Sequence, residues 1–356
     1  QFRHIADDFA AEISAGIAGQ ASSLMMLPAF VGRPSGRERG GFLSLDFGGT
    51  NVRVAEVTLN GAGGAAIGEI HRAPLNNPAK NYDFTRPEVH VTELFDFLAR
   101  QVALFDDGSP KILGHSFSFA SRQTSLGRAA LVGWTKEIRV RGVDGQDINT
   151  LLAEAFARQG CSNIQPVAVV NDTTATLLAA SYAEPDADLG SVCGTGHNTC
   201  YYEPNAACTG GVMAYNAESG GFDRLRFTVV DDQLDAASDH PGKQRLEKMV
   251  SGRYLGEVAR RVLWTGHGSC GLEFIGQCDA LRKPYGLSSQ DVSLFIGDTT
   301  EELEHIKRWL EAEAPNASTT AAERHFLREI AVLAANRSAT LAAATYAGFL
   351  QRIDPA

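Results

Sequence analysis

The sequence predicts an α/β chain of two domains, and three observations carry that prediction. Its 356 residues are 44% hydrophobic, more apolar material than a single core usually takes. Stretches of two-residue alternation are followed repeatedly by stretches of helical spacing, the pattern of sheets covered by helices. Two segments, SLDFGGTNVRVAEV (44–57) and DLGSVCGTGHNTCYYE (188–203), repeat one design: an apolar strand, a glycine turn with a threonine, and a second strand.

Along the chain, Ile5, Phe9, Ile13 and Ile17 recur every four residues and mark an amphipathic helix. GRPSGRERGG (32–41) is a basic, glycine-rich connector and a candidate boundary. Leu43, Leu45 and Phe47 alternate with Ser44 and Asp46, the period of a strand. NVRVAEVTL supplies a second strand directly after the glycines and AIGEIHRA a third, so tight turns make a meander. Val91, Leu94, Phe95, Leu98, Val102 and Phe105 share one helical face. KILGHSFSFA (111–120) reads as a strand, and NTLLAEAFARQG (149–160) as a helix stopped by Gly160. Residues 167–170 form a strand, followed by Asn171-Asp172 and a helix from about Thr173. Beyond the repeat, KQRLEKMVSGRYLGEVARRVL (243–263) reads as helices broken at Ser251-Gly252, and 322–353 as one or two long helices.

Composition narrows the function. A net charge of -10 argues against nucleic acid or an anionic membrane as partner. It leaves anionic ligands open, because a backbone phosphate site needs no net positive charge. The six cysteines, at 161, 193, 200, 208, 270 and 278, contain no close C-x-x-C pair. Reduced thiols in the cytoplasm are therefore expected rather than structural zinc or a disulfide framework. No run of about 18 apolar residues is present to span a membrane. No signal-peptide pattern opens the chain, which begins at Gln1 without methionine.

The glycine turns are the first chemical candidates. Amides freed by glycine, beside a threonine hydroxyl, can donate several hydrogen bonds to phosphate oxygens. GGT at 48–50 and GTG at 194–196 both supply these parts. A hairpin explains a lone glycine pair; two such loops, one with Asp46 at its strand end, shift weight toward phosphate. Neither G-x-x-x-x-G-K-[ST] nor a helix-opening G-x-G-x-x-G occurs, so a P-loop or a Rossmann site is unsupported. In VVNDTTAT, Asp172 reads either as a helix cap or as a general base at the end of a buried strand. In GWTKEI, Trp134 is an anchor, and Thr135 and Lys136 present a hydroxyl and a cation. Glu218 lies in the glycine-rich NAESGGF, where a carboxylate has no helical reason to be, whereas Glu247 on its helix reads equally as a surface charge.

Taken together, these segments resemble the hexokinase family of sugar kinases, in the actin-like ATPase superfamily with its ribonuclease H-like fold. SSLMMLPAFVGRPSG resembles the family's N-terminal segment, LDFGGTNVRV its first phosphate loop, and FSFASRQ with GWTKEI its sugar-binding segment. VNDTTATL resembles the catalytic-aspartate segment and GTGHNTCYYE the second phosphate loop. NAESGGF and SDHPGKQRLEKMVSGRYLGEVAR resemble the segments carrying the sugar-binding glutamates. They occur in family order from about residue 22 to 263, and the order is far more specific than any one of them.

The resemblance implies ATP-dependent phosphorylation of a hexose, glucose first, at its 6-hydroxyl. It makes Asp172 the general base, with Lys136 and Thr135 beside the reacting hydroxyl or phosphoryl group. Asn171, Asn198, Glu218 and Glu247 would hold the other hydroxyls, with Ser118 lining the pocket. Gly48, Gly49, Thr50, Asn51, Arg53, Thr195 and Gly196 would hold the nucleotide, and Asp46 would reach Mg²⁺ through water. The implied domains are a small one over 40–172 and a large one over 173–356 joined by the N-terminal 1–39, with a sugar and nucleotide cleft between them. A monomer or homodimer in the cytoplasm is expected. Three departures stand out: Ala120 where the family has proline, Glu137 where it has glycine, and Ser219 where it has tryptophan. The family also continues with an Asp-Gly turn, a glycine-rich adenosine loop and a closing helix. None of these precedes Ala356, which leaves a truncated chain or an incomplete nucleotide site as alternatives. A sugar sensor with little or no turnover is the second reading. A related bacterial kinase-repressor is a third, opposed by the lack of a cysteine-rich zinc motif and of a helix-turn-helix.

Overall fold

A computed structural model describes residues 2–134, 138–206, 211–270 and 272–354. The strands are β1 (Leu27–Pro28), β2 (Arg39–Phe47), β3 (Asn51–Asn60), β4 (Ala65–Pro74), β5 (Asn76–Asn77), β6 (Tyr82–Asp83), β7 (Lys111–Phe117), β8 (Ser121–Ser125), β9 (Arg128–Leu131), β10 (Ile164–Val170), β11 (Leu189–Cys193), β12 (His197–Ala206) and β13 (Gly211–Asn216). The helices that matter below are α1 (Phe2–Ile17), α2 (Val91–Val102), α3 (Ile148–Arg158), α4 (Asp172–Ala183), α5 (Val229–Ala236), α6 (Glu247–Val250) and α7 (Gly252–Cys270). The chain gathers into two compact units. One comprises Gln1–Met25, Val192–Asn198 and Ser219–Ala356; the other comprises Met26–Ser191 and Thr199–Glu218.

The second of these units is built on a five-stranded sheet of order β10-β7-β2-β3-β4. The expected meander is there: β2 pairs antiparallel with β3, and β3 with β4. β7 and β10 then add on the other side of β2, both parallel to it. Leu43, Leu45 and Phe47 of β2 are buried, as the alternation required. They meet a core completed by Leu94, Phe95 and Leu98 of α2 and by Leu152 and Phe156 of α3. A capping box between His90 and Glu93 starts α2. The strand expected over 111–120 leaves the ladder at Phe117, where the Ser118 amide bonds the Phe47 carbonyl instead.

A four-stranded sheet of order β1-β13-β12-β11 accompanies it. Helix α4 lies directly on this sheet. A Cβ at Gly190 would fall 2.5 Å from the Leu177 amide nitrogen and 2.7 Å from the Thr173 carbonyl oxygen. Only glycine permits that approach.

The first unit is mainly helical. α1 packs on the helix Ala321–Ile353, a single helix over the region expected to hold one or two. Phe9 meets Phe222 and Phe349 edge-on, each with ring centroids 4.9 Å apart. The break expected at Ser251-Gly252 separates α6 from α7. Lys248 of α6 is buried and bonds Asp235 of α5 at 2.6 Å and the His240 carbonyl at 2.7 Å, which fixes this one-turn helix in place.

Candidate active site

In the sheet unit, the parallel strands β2, β7 and β10 finish at one edge. Asp46, next to last in β2, is held from two sides. Its Oδ1 accepts from the Ser116 hydroxyl at 2.6 Å and its Oδ2 from the Arg53 guanidinium at 2.6 Å. Ser116 is also the register partner of Val170. Asp46 and Val170 therefore flank Ser116 on neighbouring strands, roughly 10 Å apart across the ladder. The first glycine turn and the Asn171-Asp172 pair thus emerge at the same sheet edge, where α/β sheets hold ligands.

The turn itself is a hairpin. The Gly48 amide bonds the Asn51 carbonyl at 3.1 Å, the Asn51 side chain donates to the Thr50 hydroxyl at 3.0 Å, and the Leu75 amide donates to the Thr50 carbonyl. Gly49 belongs to the same turn. Ser118 follows β7 and is buried. At the end of β10, Asn171 rather than Asp172 caps α4. Its Oδ1 accepts from the Thr173 amide at 3.0 Å and from the Thr173 hydroxyl at 2.7 Å. Asp172 is the first residue of the helix, half-buried, with Oδ1 accepting from the Thr173 amide at 2.9 Å. Of its two sequence readings, the cap therefore belongs to its neighbour.

Beside this edge lies a small hollow lined by Phe117, Ser121, Gln123, Asn171 and Asn216, among others. Gln123 donates to the Val169 carbonyl at 2.6 Å. Asn216 grips Glu218 at two points: its Nδ2 donates to Oε1 at 2.8 Å, and its Oδ1 accepts from the Glu218 amide at 3.3 Å. Glu218 has φ +52°, a left-handed conformation that costs a non-glycine residue about 1 kcal/mol or more. Asn216, Gln123 and Ser116 were missed by the sequence reading. Only Asn216 left a signal, as an Asx side chain two positions before a turn residue.

In the helical unit, the second glycine turn is bound to α6 and α7. The Gly194 amide bonds the Gly196 carbonyl at 2.9 Å, the Gly252 amide bonds the Gly194 carbonyl at 2.7 Å, and the Arg253 amide reaches the Thr195 carbonyl at 3.3 Å. Glu247 is no mere surface charge: its Oε2 accepts from the His197 amide at 2.8 Å. Asn198 accepts from the Ser219 amide at 3.2 Å. His197 is buried, and burial pushes its imidazole down to about 4. The structure thus gathers Asp46, the 48–50 turn, Arg53, Ser118, Asn171 and Asp172 in one unit, and Thr195, Gly196, Asn198 and Glu247 in the other.

Thr135, Lys136 and Glu137 lie outside the described residues. Their neighbour Trp134 packs edge-on against Phe119, with centroids 4.9 Å apart, and donates to the Val140 carbonyl at 2.8 Å. Among the described residues, no group of three or more His, Cys, Asp or Glu side chains could hold a metal ion, and no helix is long and apolar enough to cross a membrane. Cys161, Cys193, Cys200 and Cys278 are free thiols.

Comparison with known proteins bears on these parts as a set. Two hexokinase family models match residues 1–182 and 188–355. Hexokinase-1 of Schizosaccharomyces pombe is 32% identical over 98% of this chain and 75% of its own length. Hexokinase-1 of Oryza sativa subsp. japonica is 34% identical over 98% of this chain and 73% of its own. A hexokinase from Schistosoma mansoni, solved in complex with glucose, superposes with a TM-score of 0.82 at 30% identity, covering 99% of this chain and 82% of that one. That agreement fits the actin-like ATPase fold. With the family models matching nearly the whole of its length, the chain belongs to the hexokinase family of sugar kinases.

Proposed function

We propose that this sugar kinase transfers the γ-phosphoryl group of ATP to the 6-hydroxyl of a hexose, glucose first, giving hexose 6-phosphate and ADP. The observation that carries the reading is the shared edge of β2, β7 and β10, where Asp46 and its glycine turn stand two strands from Asp172. Phosphoryl transfer asks the protein mainly for alignment, neutralised charge and a placed nucleophile. Asp172 would take the proton from the hydroxyl. Asn171, Asn198, Glu218 and Glu247 would pair with vicinal hydroxyls, which amides and carboxylates match two at a time. Ser118, Thr135 and Lys136 complete the sugar side, with Lys136 as the cation. Gly48, Gly49, Thr50, Asn51, Arg53, Thr195 and Gly196 would take the phosphates. Functional domains over 40–172 and over 173–356 with 1–39 go with this assignment.

Mg²⁺ fits Asp46 through water better than directly, since both carboxylate oxygens already accept from Ser116 and Arg53. Such an arrangement suits an ion that keeps several waters. The ion would supply charge neutralisation at the phosphates.

A coupled assay with Mg-ATP and a panel of hexoses tests the reading. Turnover on at least one hexose is expected, and Asp172→Ala should lower kcat by a factor of roughly 100 or more while hexoses still raise its melting temperature. Hexose binding without turnover in the unsubstituted protein would make it a sugar sensor instead.

A further inference from the structure

Glu247 enters the proposed function as a sugar ligand, yet its carboxylate is built into the second glycine turn. Oε2 accepts from the His197 amide at 2.8 Å. The same oxygen would stand 2.6 Å from a Cβ at Gly196, so a methyl group there would push the tip of the carboxylate out of this seat. A Cβ at Gly220 would meet the Glu247 Cβ at 3.1 Å and the His197 carbonyl at 2.7 Å, which clears the other side of the same corner. The glutamate's own backbone is fixed as well: the Ser251 amide donates to its carbonyl at 2.9 Å, and the buried Lys248 beside it is tied to Asp235. Gly252, one residue beyond Ser251, bonds the Gly194 carbonyl, so the turn is held from its far side by the same helix break.

We propose that Glu247 is a positioning residue for the phosphate-binding turn 194–197, in addition to any contact it makes with sugar. The proposal rests on that turn receiving nucleotide phosphate. An amide hydrogen bond to an ionised carboxylate is among the stronger ones in proteins, and here it orients the backbone immediately after Gly196. A residue that only touched sugar would have no need of a side-chain-free position at 196. Gly196 therefore has two duties. Toward the ligand it bares the backbone, and toward the protein it admits the carboxylate.

The test compares Glu247→Gln with Glu247→Ala in the full chain. The glutamine carbonyl can still accept from the His197 amide, whereas alanine cannot. Hydrogen exchange of the peptide spanning 193–200 is measured without any ligand, and Mg-ATP affinity is measured without sugar. Expected for Glu247→Ala are faster exchange at His197 and a loss of Mg-ATP affinity of roughly tenfold or more. Glu247→Gln should stay within about twofold of the unsubstituted protein on both, while its KM for sugar rises. Gly196→Ala should reproduce the alanine phenotype with the carboxylate still present, a control should Glu247→Ala fold poorly. Unchanged exchange, or faster exchange with unchanged Mg-ATP affinity, would overturn the proposal. If the unsubstituted protein bound no Mg-ATP, the nucleotide reading of this turn would fall, and the exchange arm would still decide whether Glu247 holds it.

Discussion

His115 shows what one side chain can do to the whole energy balance. It sits on β7, the second strand of the five-stranded sheet, 4% exposed, with no hydrogen-bond partner for Nδ1 among the described residues. Burial pushes its imidazole from the usual 6.5 down to about 4, against an opposing pull from Asp147. The unfolded chain takes up a proton as pH falls below about 6.5, whereas the folded chain declines it until about 4. The stability this group contributes is therefore complete above pH 6.5. It is lost as pH falls from there toward 4, at up to about 1.4 kcal/mol per pH unit. His197 behaves in the same sense in the other unit. Urea unfolding between pH 7 and 4 should show this slope, and His115→Leu should flatten it. An identical slope in the variant would mean that His115 takes up its proton alike in the folded and unfolded chains, which would refute the effect of burial.

At the scale of elements, the contact between α4 and β11 is an exacting one. The atoms that a Cβ at Gly190 would strike are mostly backbone, the Leu177 amide and the Thr173 carbonyl, which cannot rotate away. Gly190→Ala should cost at least about 1–3 kcal/mol, the usual range for overpacking. The effect should also travel. Thr173 follows Asp172 in the first turn of α4, so a displaced helix carries its carboxylate with it. A misplacement near 1 Å can cost about 100-fold in rate. Gly190→Ala should thus lower both the melting temperature and, at a permissive temperature, kcat. At Gly276, in the helix Glu273–Gln277, an added Cβ would meet nothing within 4 Å, so Gly276→Ala is the neutral control. Equal effects of the two substitutions would refute the close-contact argument.

For the whole molecule, the helical unit is completed only by residues far apart in sequence. Phe9 of α1 meets Phe222 and Phe349, and Gln351 bonds Asp7 across 344 positions. Phe9→Ala should cost about 3–5 kcal/mol, read as a lowered denaturation midpoint; a change under about 1 kcal/mol would show that α1 is dispensable to this core. Such distance also separates what the sequence revealed from what it hid. The period of Leu43, Leu45 and Phe47, and the helical spacing from Val91 to Val102, are local, so β2 and α2 could be read directly. The continuity of Ala321–Ile353 was not, because Asn336 and Ser338 near its midpoint suit a break as well as a continuous helix. Among the candidate residues, the motifs named Asp46, Asp172, Glu218 and Glu247, but not the groups that hold them. Ser116 lies 70 positions from Asp46, and His197 lies 50 from Glu247. Such pairs exist only once strands are in register and helices docked. The assignment of Asn171 as the cap was undecidable between adjacent Asx residues until the backbone dihedrals were known.

The seating of Glu247 against Gly196 has a consequence for heredity and for engineering. Two positions that share one small space cannot drift independently. A lineage or a selected library that places a methyl group at 196 and keeps the glutamate at 247 must move the tip of that carboxylate away from the His197 amide. On the proposal above, replacing Glu247 by a residue that cannot accept from the His197 amide disturbs the 194–197 turn, whereas glutamine leaves it in place.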